Sequence, residues 1–258
     1  MSVTHGDFTA LADDYSKYRE GYAPSVRDAF LGLPASNVHS LDIVDVGAGT
    51  GIWTRMLAER DPGSLTAVEP NSKMRERGMT DSVDYSFNWV EGSGEHTGRP
   101  DNSADVVSMA SSFHWVDFER GLCEFSRILK PGGWFGALWN PRVIEANPLL
   151  VEIESYVKEL NPQVERVTSS RSGLISQLSD RLRESELFGN VTYVEGRHLV
   201  RQSIPHYLGL WRSANDVQVQ LGPELFEEFM NRTEARLENV DYVETTYMTT
   251  LWAAQSEY

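Results

Sequence analysis

Short apolar runs alternate with amphipathic segments over most of the chain after residue 40. The run LDIVDV from Leu41 ends in glycines and is followed by TGIWTRMLA, in which apolar residues recur with a helical period. A polar segment at about 71–78 and a segment at 117–129 predict two further helices. Six more runs predict strands: LTAVEP from Leu65, a run at about 86–91, ADVVSMASS from Ala104, WFGALWN from Trp134, a run near 191–195 and VETTYMTTLWAA from Val243.

This alternation predicts an α/β fold, with a Rossmann-like, seven-stranded, mostly parallel sheet and helices on both faces. Residues 1–36 predict an N-terminal helical arm that Gly21 and Pro24 interrupt. Its apolar side chains recur at helical spacing: Phe8, Leu11, Tyr15, Tyr18 and Tyr22. Residues 142–190 are polar and charged, with two helix-like segments at about 149–160 and 174–187, and predict an inserted helical lid.

We therefore expect a single domain with four parts, because 258 residues of which 40% are hydrophobic can bury one sizeable core. The parts are the arm (1–36), the core sheet (37–141), the lid (142–190) and a C-terminal part (191–258) with helices near 204–212 and 223–237. Within the core, the run LKPGG at 129–133 predicts a tight turn, since proline and glycine stop a helix and reverse the chain.

The charge and cysteine content narrow the classes of partner. Against 38 acidic residues there are 23 basic ones, and the formal charge of -15 disfavours a nucleic-acid substrate. Cys123 is the only cysteine, so no internal disulfide and no thiolate metal cage can form. The first residues lack a signal-peptide pattern, and no run approaches the roughly 20 apolar residues of a membrane span. We expect a cytoplasmic protein without a membrane or metal partner, either monomer or homodimer.

The glycine-rich segment Asp45–Gly51 lies between a predicted strand and a predicted helix. Glycines there let the chain turn sharply and let a ligand approach the main chain at the positive end of the helix. Ile52 occupies the place of the third glycine of a dinucleotide fingerprint, which weakens a nicotinamide-cofactor interpretation. Glu69 ends the next strand, where a carboxylate can accept hydrogen bonds from both hydroxyls of a ribose. An ordinary glycine-rich turn and an ordinary surface glutamate are the alternatives.

Several ordered motifs between residues 8 and 140 resemble the class I S-adenosylmethionine (SAM) dependent methyltransferases. They are DFTALADDYSKYREGY, VDVGAGTG, AVEP, EGSGE, ADVVSMASSFHWVD and EFSRILKPGGW. Within that family the chain is similar to the small-molecule group that includes the trans-aconitate and the ubiquinone and menaquinone-biosynthesis methyltransferases. The resemblance implies SAM as cofactor, S-adenosylhomocysteine (SAH) as product and a small-molecule acceptor. After residue 141 only length and strand pattern match.

The resemblance also implies which residues bind the cofactor. The methionine part would lie near Gly47, Ala48 and Gly49, and Glu69 would hold the ribose. The other implied contacts are Pro70, Met74, Ser93, Gly94 and Glu95 around the adenine, Ser111 and Ser112 at the methionine end, and Tyr18 and Arg19 closing over SAM. Arg19 suits the cofactor's carboxylate. The arm reads REGYA from Arg19, where the family commonly has prolines after the arginine and after the last tyrosine.

His114 is the candidate catalytic residue, because it follows the fourth strand into the crevice where parallel sheets bind ligands. A sulfonium methyl is already activated, so the enzyme needs chiefly to align the reactants and exclude water. A base is needed only where the acceptor is protonated at neutral pH. His114 therefore either acts as that base or, with Trp115, packs over SAM.

Other candidate residues would contact the acceptor. Trp115, Trp139 and Arg142 follow predicted strands into the crevice, and Tyr207 and Trp211 share one predicted helix with Arg212 at i, i+4 and i+5. A small basic patch at Arg197, His198 and Arg201 is either a solvated strand edge or a further wall of the crevice. If these basic residues face the crevice, an anionic acceptor such as a carboxylate becomes attractive and needs no base.

Three functions remain open from the sequence. A small-molecule methyltransferase accounts for the motifs, the arm, the lid and the acidic surface together. An NAD-dependent oxidoreductase accounts only for the glycine loop and Glu69. A catalytically silent SAM-binding or partner-binding protein would keep the same loop but lose the crevice residues.

Overall fold

The computed structural model describes residues 12–165 and 173–258, and seven strands of this part join in one sheet. In chain order they are β1 (Asp42–Val46), β2 (Ser64–Val68), β3 (Asn88–Val90), β4 (Ala104–Ala110), β5 (Leu129–Trp139), β6 (Phe188–Gln202) and β7 (Val243–Ser256). Their order across the sheet is β3-β2-β1-β4-β5-β7-β6. The first five are parallel, and β7 is antiparallel to both β5 and β6. The prediction of a seven-stranded, mostly parallel sheet is confirmed.

Nine α-helices accompany the sheet in the described ranges. They are α1 (Ala12–Tyr18), α2 (Pro24–Gly32), α3 (Ile52–Ala58), α4 (Ser72–Asp81), α5 (Phe118–Ile128), α6 (Pro148–Leu160), α7 (Gly173–Glu184), α8 (Ile204–Arg212) and α9 (Asn215–Leu237), the last kinked at Gly222. Two apolar cores cover the two sheet faces, one with α5 and α7 and the other with α2 and α3. Because both faces of the central strands are covered, those strands are buried at nearly every position. None of the helices described is both long and apolar enough to cross a membrane.

A third core joins α6, α8 and α9, which we call the helical cap. Leu150 and Ile153 of α6 pack there with Trp211 of α8 and Phe229 of α9. The expectation that 142–190 forms one inserted lid is therefore wrong for its second half. Helix α7 instead packs on the sheet, because its Ile175, Leu178 and Leu182 form an apolar stripe at helical spacing.

The predicted turn at 129–133 is also wrong, because these residues are part of β5. Ala104 pairs with Leu129 and Val106 pairs with Trp134, so residues 130–133 bulge out opposite a single residue of β4. Gly132 supplies a positive φ of 75° within the bulge. The Lys130 ammonium bonds the carboxylates of Asp42 (2.7 Å) and Asp105 (2.8 Å), which fixes the bulge against its neighbours.

The predicted helical arm is two helices, α1 and α2, with the interruption at residues 19–23. Helix α2 packs on the sheet through Phe30, whose ring lies where a side chain at Gly136 would be. Helix α1 packs against α4 and α8, and the ring of Tyr18 lies against Gly209 of α8. Phe8 and Leu11, which the pattern placed in the same arm, lie outside the described residues.

The contact between α1 and α8 yields a stability prediction. A Cβ at Gly209 would lie 2.4 Å from the Tyr18 ring, so Gly209→Ala must displace the ring or the helix. We expect a loss of about 1–3 kcal/mol in the free energy of unfolding, as for other overpacked sites. Urea unfolding measures it, with Gly32→Ala in α2 as the control because its added methyl meets no atom within 4 Å. Equal unfolding free energies for the two variants would contradict the packing described.

Candidate active site

A cavity of about 530 Å³ opens at the carboxyl ends of the parallel strands. It lies where the chain leaves the neighbouring strands β1 and β4 towards opposite faces of the sheet. Sixteen of the residues expected at the site line it: Arg19, Gly47, Ala48, Gly49, Glu69, Pro70, Met74, Ser93, Gly94, Glu95, Ser111, Ser112, His114, Trp115, Arg142 and Trp211. Three expected residues are absent from its walls: Tyr18, Trp139 and Tyr207. The volume lies within the usual range of small-molecule sites.

The glycine loop between β1 and α3 forms one wall. Gly47 and Gly49 have φ values of 66° and 58°, which non-glycine residues rarely adopt. A Cβ at Gly47 would also lie 2.6 Å from the Ser112 hydroxyl oxygen. The Ala48 amide donates to the Val68 carbonyl at 3.1 Å, which ties the loop to the end of β2. A ligand on this wall meets main chain rather than side chains.

Glu69 stands beside that loop at the end of β2 and is only 6% exposed. Its Oε2 accepts from the Gly49 amide and its Oε1 from the Asn71 amide, both at 2.8 Å. A carboxylate has about four lone-pair positions, so two remain for a ligand. Burial raises the pKa of Glu69, and the two backbone hydrogen bonds oppose that rise.

Asp45 supports the loop from inside the core and is fully buried. It accepts hydrogen bonds from the hydroxyl groups of Thr54 on α3 (2.5 Å) and Ser108 on β4 (3.1 Å). Burial raises the pKa of Asp45 to about 7 despite these bonds. The side chain is absent from the cavity wall, so its contribution is to hold β1, α3 and β4 together below the loop.

The segment after β4 adopts an unusual backbone conformation. Ser111 has a φ of 55°, which costs a non-glycine residue free energy. Its amide donates to the Leu138 carbonyl at 2.7 Å, and its hydroxyl oxygen accepts from the Tyr22 hydroxyl at 2.9 Å. These bonds hold the turn that presents Ser112 and His114 to the cavity.

His114 lies on a single 3-10 turn, Phe113–Trp115, at the cavity wall. The Trp139 indole N–H lies 3.5 Å from His114 Nδ1. Because an indole nitrogen only donates, Nδ1 accepts and the neutral ring carries its proton on Nε2. Trp139, expected to contact the acceptor, is buried and reaches the cavity only through His114, whereas Trp115 is 51% exposed.

Of the two arm residues expected at the cofactor, Arg19 lines the cavity and Tyr18 does not. Tyr18 turns towards α8, where its ring meets His206 edge-on, while Tyr15, Arg19 and Tyr22 line the cavity. Arg19 Nη2 donates to the Ser213 carbonyl at 3.2 Å, and its buried Nε has no partner among the described residues. Tyr22 was not among the expected site residues; it lies in the non-helical segment between α1 and α2.

The opposite wall combines the segment after β5 with the cap and β7. Arg142 pairs with Glu154 of α6 at 2.9 Å and stands over the Trp211 ring at 4.9 Å. Tyr207, expected on this wall, is buried one helical turn before Trp211. The wall also includes residues that the sequence did not single out, among them Asn140, Asp216 and Tyr247.

The basic patch at 197–201 is a strand edge rather than a wall of the cavity. Arg197 and Arg201 are exposed on β6, and Arg201 pairs with Glu244 at 2.9 Å. His198 Nε2 lies 3.1 Å from the Gly21 carbonyl oxygen and helps to hold the arm. Elsewhere in the described ranges, no group of three or more histidine, cysteine or acidic side chains converges as a metal site would require.

Known proteins resemble this chain in sequence. A family model described as "Methyltransferase domain" matches residues 44–137. An uncharacterized methyltransferase of Mycobacterium tuberculosis is 34% identical over 142 residues, which are 55% of this chain and 54% of that protein. The chain thus spans about half the length of the curated relatives it matches first. An uncharacterized methyltransferase-like protein of Schizosaccharomyces pombe is 24% identical over 254 residues, covering 93% of this chain and 90% of the relative.

The fold is likewise similar to a solved structure. A candidate type II methyltransferase from Anaeromyxobacter dehalogenans superposes with a TM-score of 0.65 at 19% identity, over 92% of this chain and 98% of that one. The sheet order and the glycine loop are consistent with the methyltransferase domain that the family model matches. Residues 44–137 thus match a methyltransferase domain, and the chain is similar to methyltransferases in sequence and in fold.

Proposed function

We propose that this protein transfers a methyl group from SAM to a small-molecule acceptor and releases SAH. The observation that carries the proposal is the continuity of one cavity, which runs from the glycine loop and Glu69 to the wall formed by Arg142 and Trp211. A cofactor bound by the glycine loop and Glu69 would therefore share one cavity with an acceptor bound beside Arg142 and Trp211. The acidic surface and the cavity of about 530 Å³ favour a small acceptor over a nucleic acid.

Three features of the cavity fit SAM. Glu69 keeps two lone-pair positions for the paired hydroxyls of a ribose. The positive-φ glycines leave their backbone open to the methionine part. The unpartnered Nε of Arg19 can donate to a carboxylate. When bound, SAM supplies a methyl group already activated by its sulfonium charge.

The chain's own contribution is then alignment and the exclusion of water. Tyr22 from the arm and Leu210 and Trp211 from the cap line the same cavity as the glycine loop, so the reacting groups are enclosed on several sides. Holding two reactants in line lowers the barrier mainly through the entropy of association. His114 presents an Nε2–H because Nδ1 accepts from Trp139, so it suits the role of a hydrogen-bond donor that positions the acceptor.

The cofactor site is tested through Glu69. Glu69→Ala should weaken SAH binding at least about tenfold, because each hydrogen bond to a charged group contributes roughly 1.5–3 kcal/mol. Isothermal titration with SAH measures the affinity, and Glu91→Ala is the control because its exposed carboxylate follows β3, pairs with Arg75 and does not line the cavity. An unchanged affinity for SAH in Glu69→Ala, or binding of NAD by the parent protein, would contradict the proposal.

The same titration has a pH dependence. Burial raises the pKa of Glu69, so its carboxylate gains a proton on acidification earlier than an ordinary glutamate, whose pKa is about 4.3. Protonation removes acceptor positions, so SAH affinity of the parent should fall as the pH is lowered through that raised pKa. In Glu69→Ala this loss should disappear, whereas Glu91→Ala should retain it.

The role of His114 is tested by comparing three side chains. If His114 positions the acceptor by donating from Nε2, His114→Asn and His114→Gln, which also donate, should keep the turnover number within about tenfold of the parent. His114→Ala should lose more. SAH formation at saturating SAM, across a panel of small metabolites, measures the rate. A loss of about a hundredfold or more in both amide variants would identify His114 as a base instead, since general-base catalysis contributes about 10²–10⁴-fold.

A further inference from the structure

Arg142 and Tyr247 lie side by side on the acceptor wall of the cavity. They face each other in an isolated antiparallel bridge between the segment after β5 and strand β7. The bridge is secured on both sides, because the Val143 amide donates to the Thr246 carbonyl at 2.7 Å and the Met248 amide donates to the Pro141 carbonyl at 2.9 Å. Directly opposed residues of antiparallel chains place their side chains on the same face. The side chains of Arg142 and Tyr247 therefore leave the backbone next to each other and on the same face.

Each of these side chains keeps an unused hydrogen-bonding atom. Arg142 Nη1 and the Tyr247 hydroxyl oxygen are both buried, and neither makes a hydrogen bond of good geometry with the described residues, although Tyr207 lies near Arg142 and Gln202 lies near Tyr247. Tyr247 as a whole is 4% exposed. Buried polar groups are nearly always hydrogen-bonded, because leaving one unpaired costs free energy. Since both residues line the cavity, a ligand in it is the natural partner for the two atoms.

Both groups are donors at neutral pH. Burial raises the pKa of Tyr247 to about 12, so the phenol keeps its proton. Burial is the largest influence on the pKa of Arg142 and lowers it, but Glu154, Tyr207, Tyr247 and Asp216 together outweigh burial, so the net pKa is raised and the guanidinium stays positive. Glu154 accepts from Nη2, and the Trp211 ring covers the guanidinium at 4.9 Å, which together fix its position while Nη1 remains available.

From these contacts we infer that the acceptor carries a carboxylate, held by Arg142 Nη1 and the Tyr247 hydroxyl. The inference rests on the proposed function and assigns the class of its substrate. A carboxylate offers two oxygens in one plane and only accepts hydrogen bonds, which matches one cationic and one neutral donor placed side by side. A neutral amide can use the same donors but lacks the negative charge that pairs with the guanidinium. A primary amine that is protonated at neutral pH has no acceptor atom and carries the same charge as the guanidinium.

The nearby acidic groups set a competing possibility. Glu20 and Asp216 line the same cavity, and a cationic ligand would be drawn to them. Glu20, however, already accepts from Gln202 at 2.8 Å and lies 2.9 Å from His206 Nε2. At this end of the cavity Arg142 and Tyr247 each offer a buried donor, so the geometry there favours the anion.

The test is a binding comparison with matched probes. Benzoate, phenylacetate and hexanoate, each with its primary amide and primary amine, are titrated into SAH-saturated protein and followed by saturation-transfer NMR. We expect the carboxylates to bind the parent at least about fivefold more tightly than the matched amides and amines. Equal or tighter binding of the amides or amines, or no carboxylate binding up to the solubility limit, would overturn the inference.

Two variants locate the binding. Tyr247→Phe removes only a hydroxyl that makes no hydrogen bond of good geometry within the described residues, so it should leave the unfolding midpoint nearly unchanged and weaken carboxylate binding about fivefold or more. Arg142→Lys keeps a positive charge beside Glu154 but removes Nη1, and should weaken it similarly. Tyr193→Phe on β6 is the matched control, because its hydroxyl bonds Glu195 outside the cavity. Carboxylate affinity equal to the parent's in both site variants would also refute the assignment.

SAH affinity, measured in the same proteins, separates this inference from the proposed function. In Tyr247→Phe and Arg142→Lys it should stay within about twofold of the parent, since neither side chain is placed at the cofactor end. A parent protein that does not bind SAH would defeat the proposed function itself. A parent that binds SAH but shows no preference for carboxylates would defeat only the assignment of the acceptor.

Discussion

Two buried carboxylates, Asp45 and Glu69, govern the architecture of the ligand cavity. Withdrawing a charge from water is costly unless hydrogen bonds replace the lost solvation. Here Thr54 at the start of α3 donates a hydrogen bond to Asp45, and the amide of Gly49 in the loop donates one to Glu69. The loop therefore adopts a conformation that satisfies both carboxylates at once, and any large displacement of it would leave a buried charge without partners.

In the residues between α1 and α2, main-chain polar groups are likewise satisfied by hydrogen bonds from other parts of the chain. The Gly21 carbonyl accepts from the Asn140 amide group and faces His198, and the Ala23 amide donates to the Thr249 hydroxyl at 2.7 Å. Strands β6 and β7 and the segment after β5 thus satisfy polar groups of the arm. The arm forms an outer wall of the cavity, so the antiparallel strands β6 and β7 help to hold a wall of a cavity that opens at the ends of the parallel strands.

The sequence was most informative where local chemistry leaves few options. The glycines between Asp45 and Gly51 allow the positive φ values of the loop, and the buried parallel strands are short, largely apolar runs, so loop, sheet and Glu69 were predictable. Proline and glycine at 131–133 were misleading, because a strand bulge uses the same residues as a turn. The apolar stripe of α7 was masked by its charged surroundings, and only tertiary packing decides whether such a helix covers the sheet or the cap.

Side-chain direction was harder to predict than location. Tyr18 and Tyr207 were correctly placed on helices near the site, but the phase of each helix turned the first ring to α8 and buried the second. Asn140 and Tyr247 belong to no motif, and Tyr22, the last residue of the arm motif, was not assigned to the site. Their place at the cavity follows from how the arm, the end of β5 and β7 meet, which is long-range information that spacing along the chain does not contain.

The bridge between Arg142 and Tyr247 has a consequence for how such a protein diversifies. Both residues follow the end of the matched methyltransferase domain at residue 137, and they lie on the segment after β5 and on β7, remote along the chain from the glycine loop. Substitutions at this pair change the chemistry offered to a substrate while the residues that hold β1, β2 and the loop stay intact. Under the proposed function, related proteins can therefore keep the same methyl donor and differ in acceptor through changes at this single pair of facing positions.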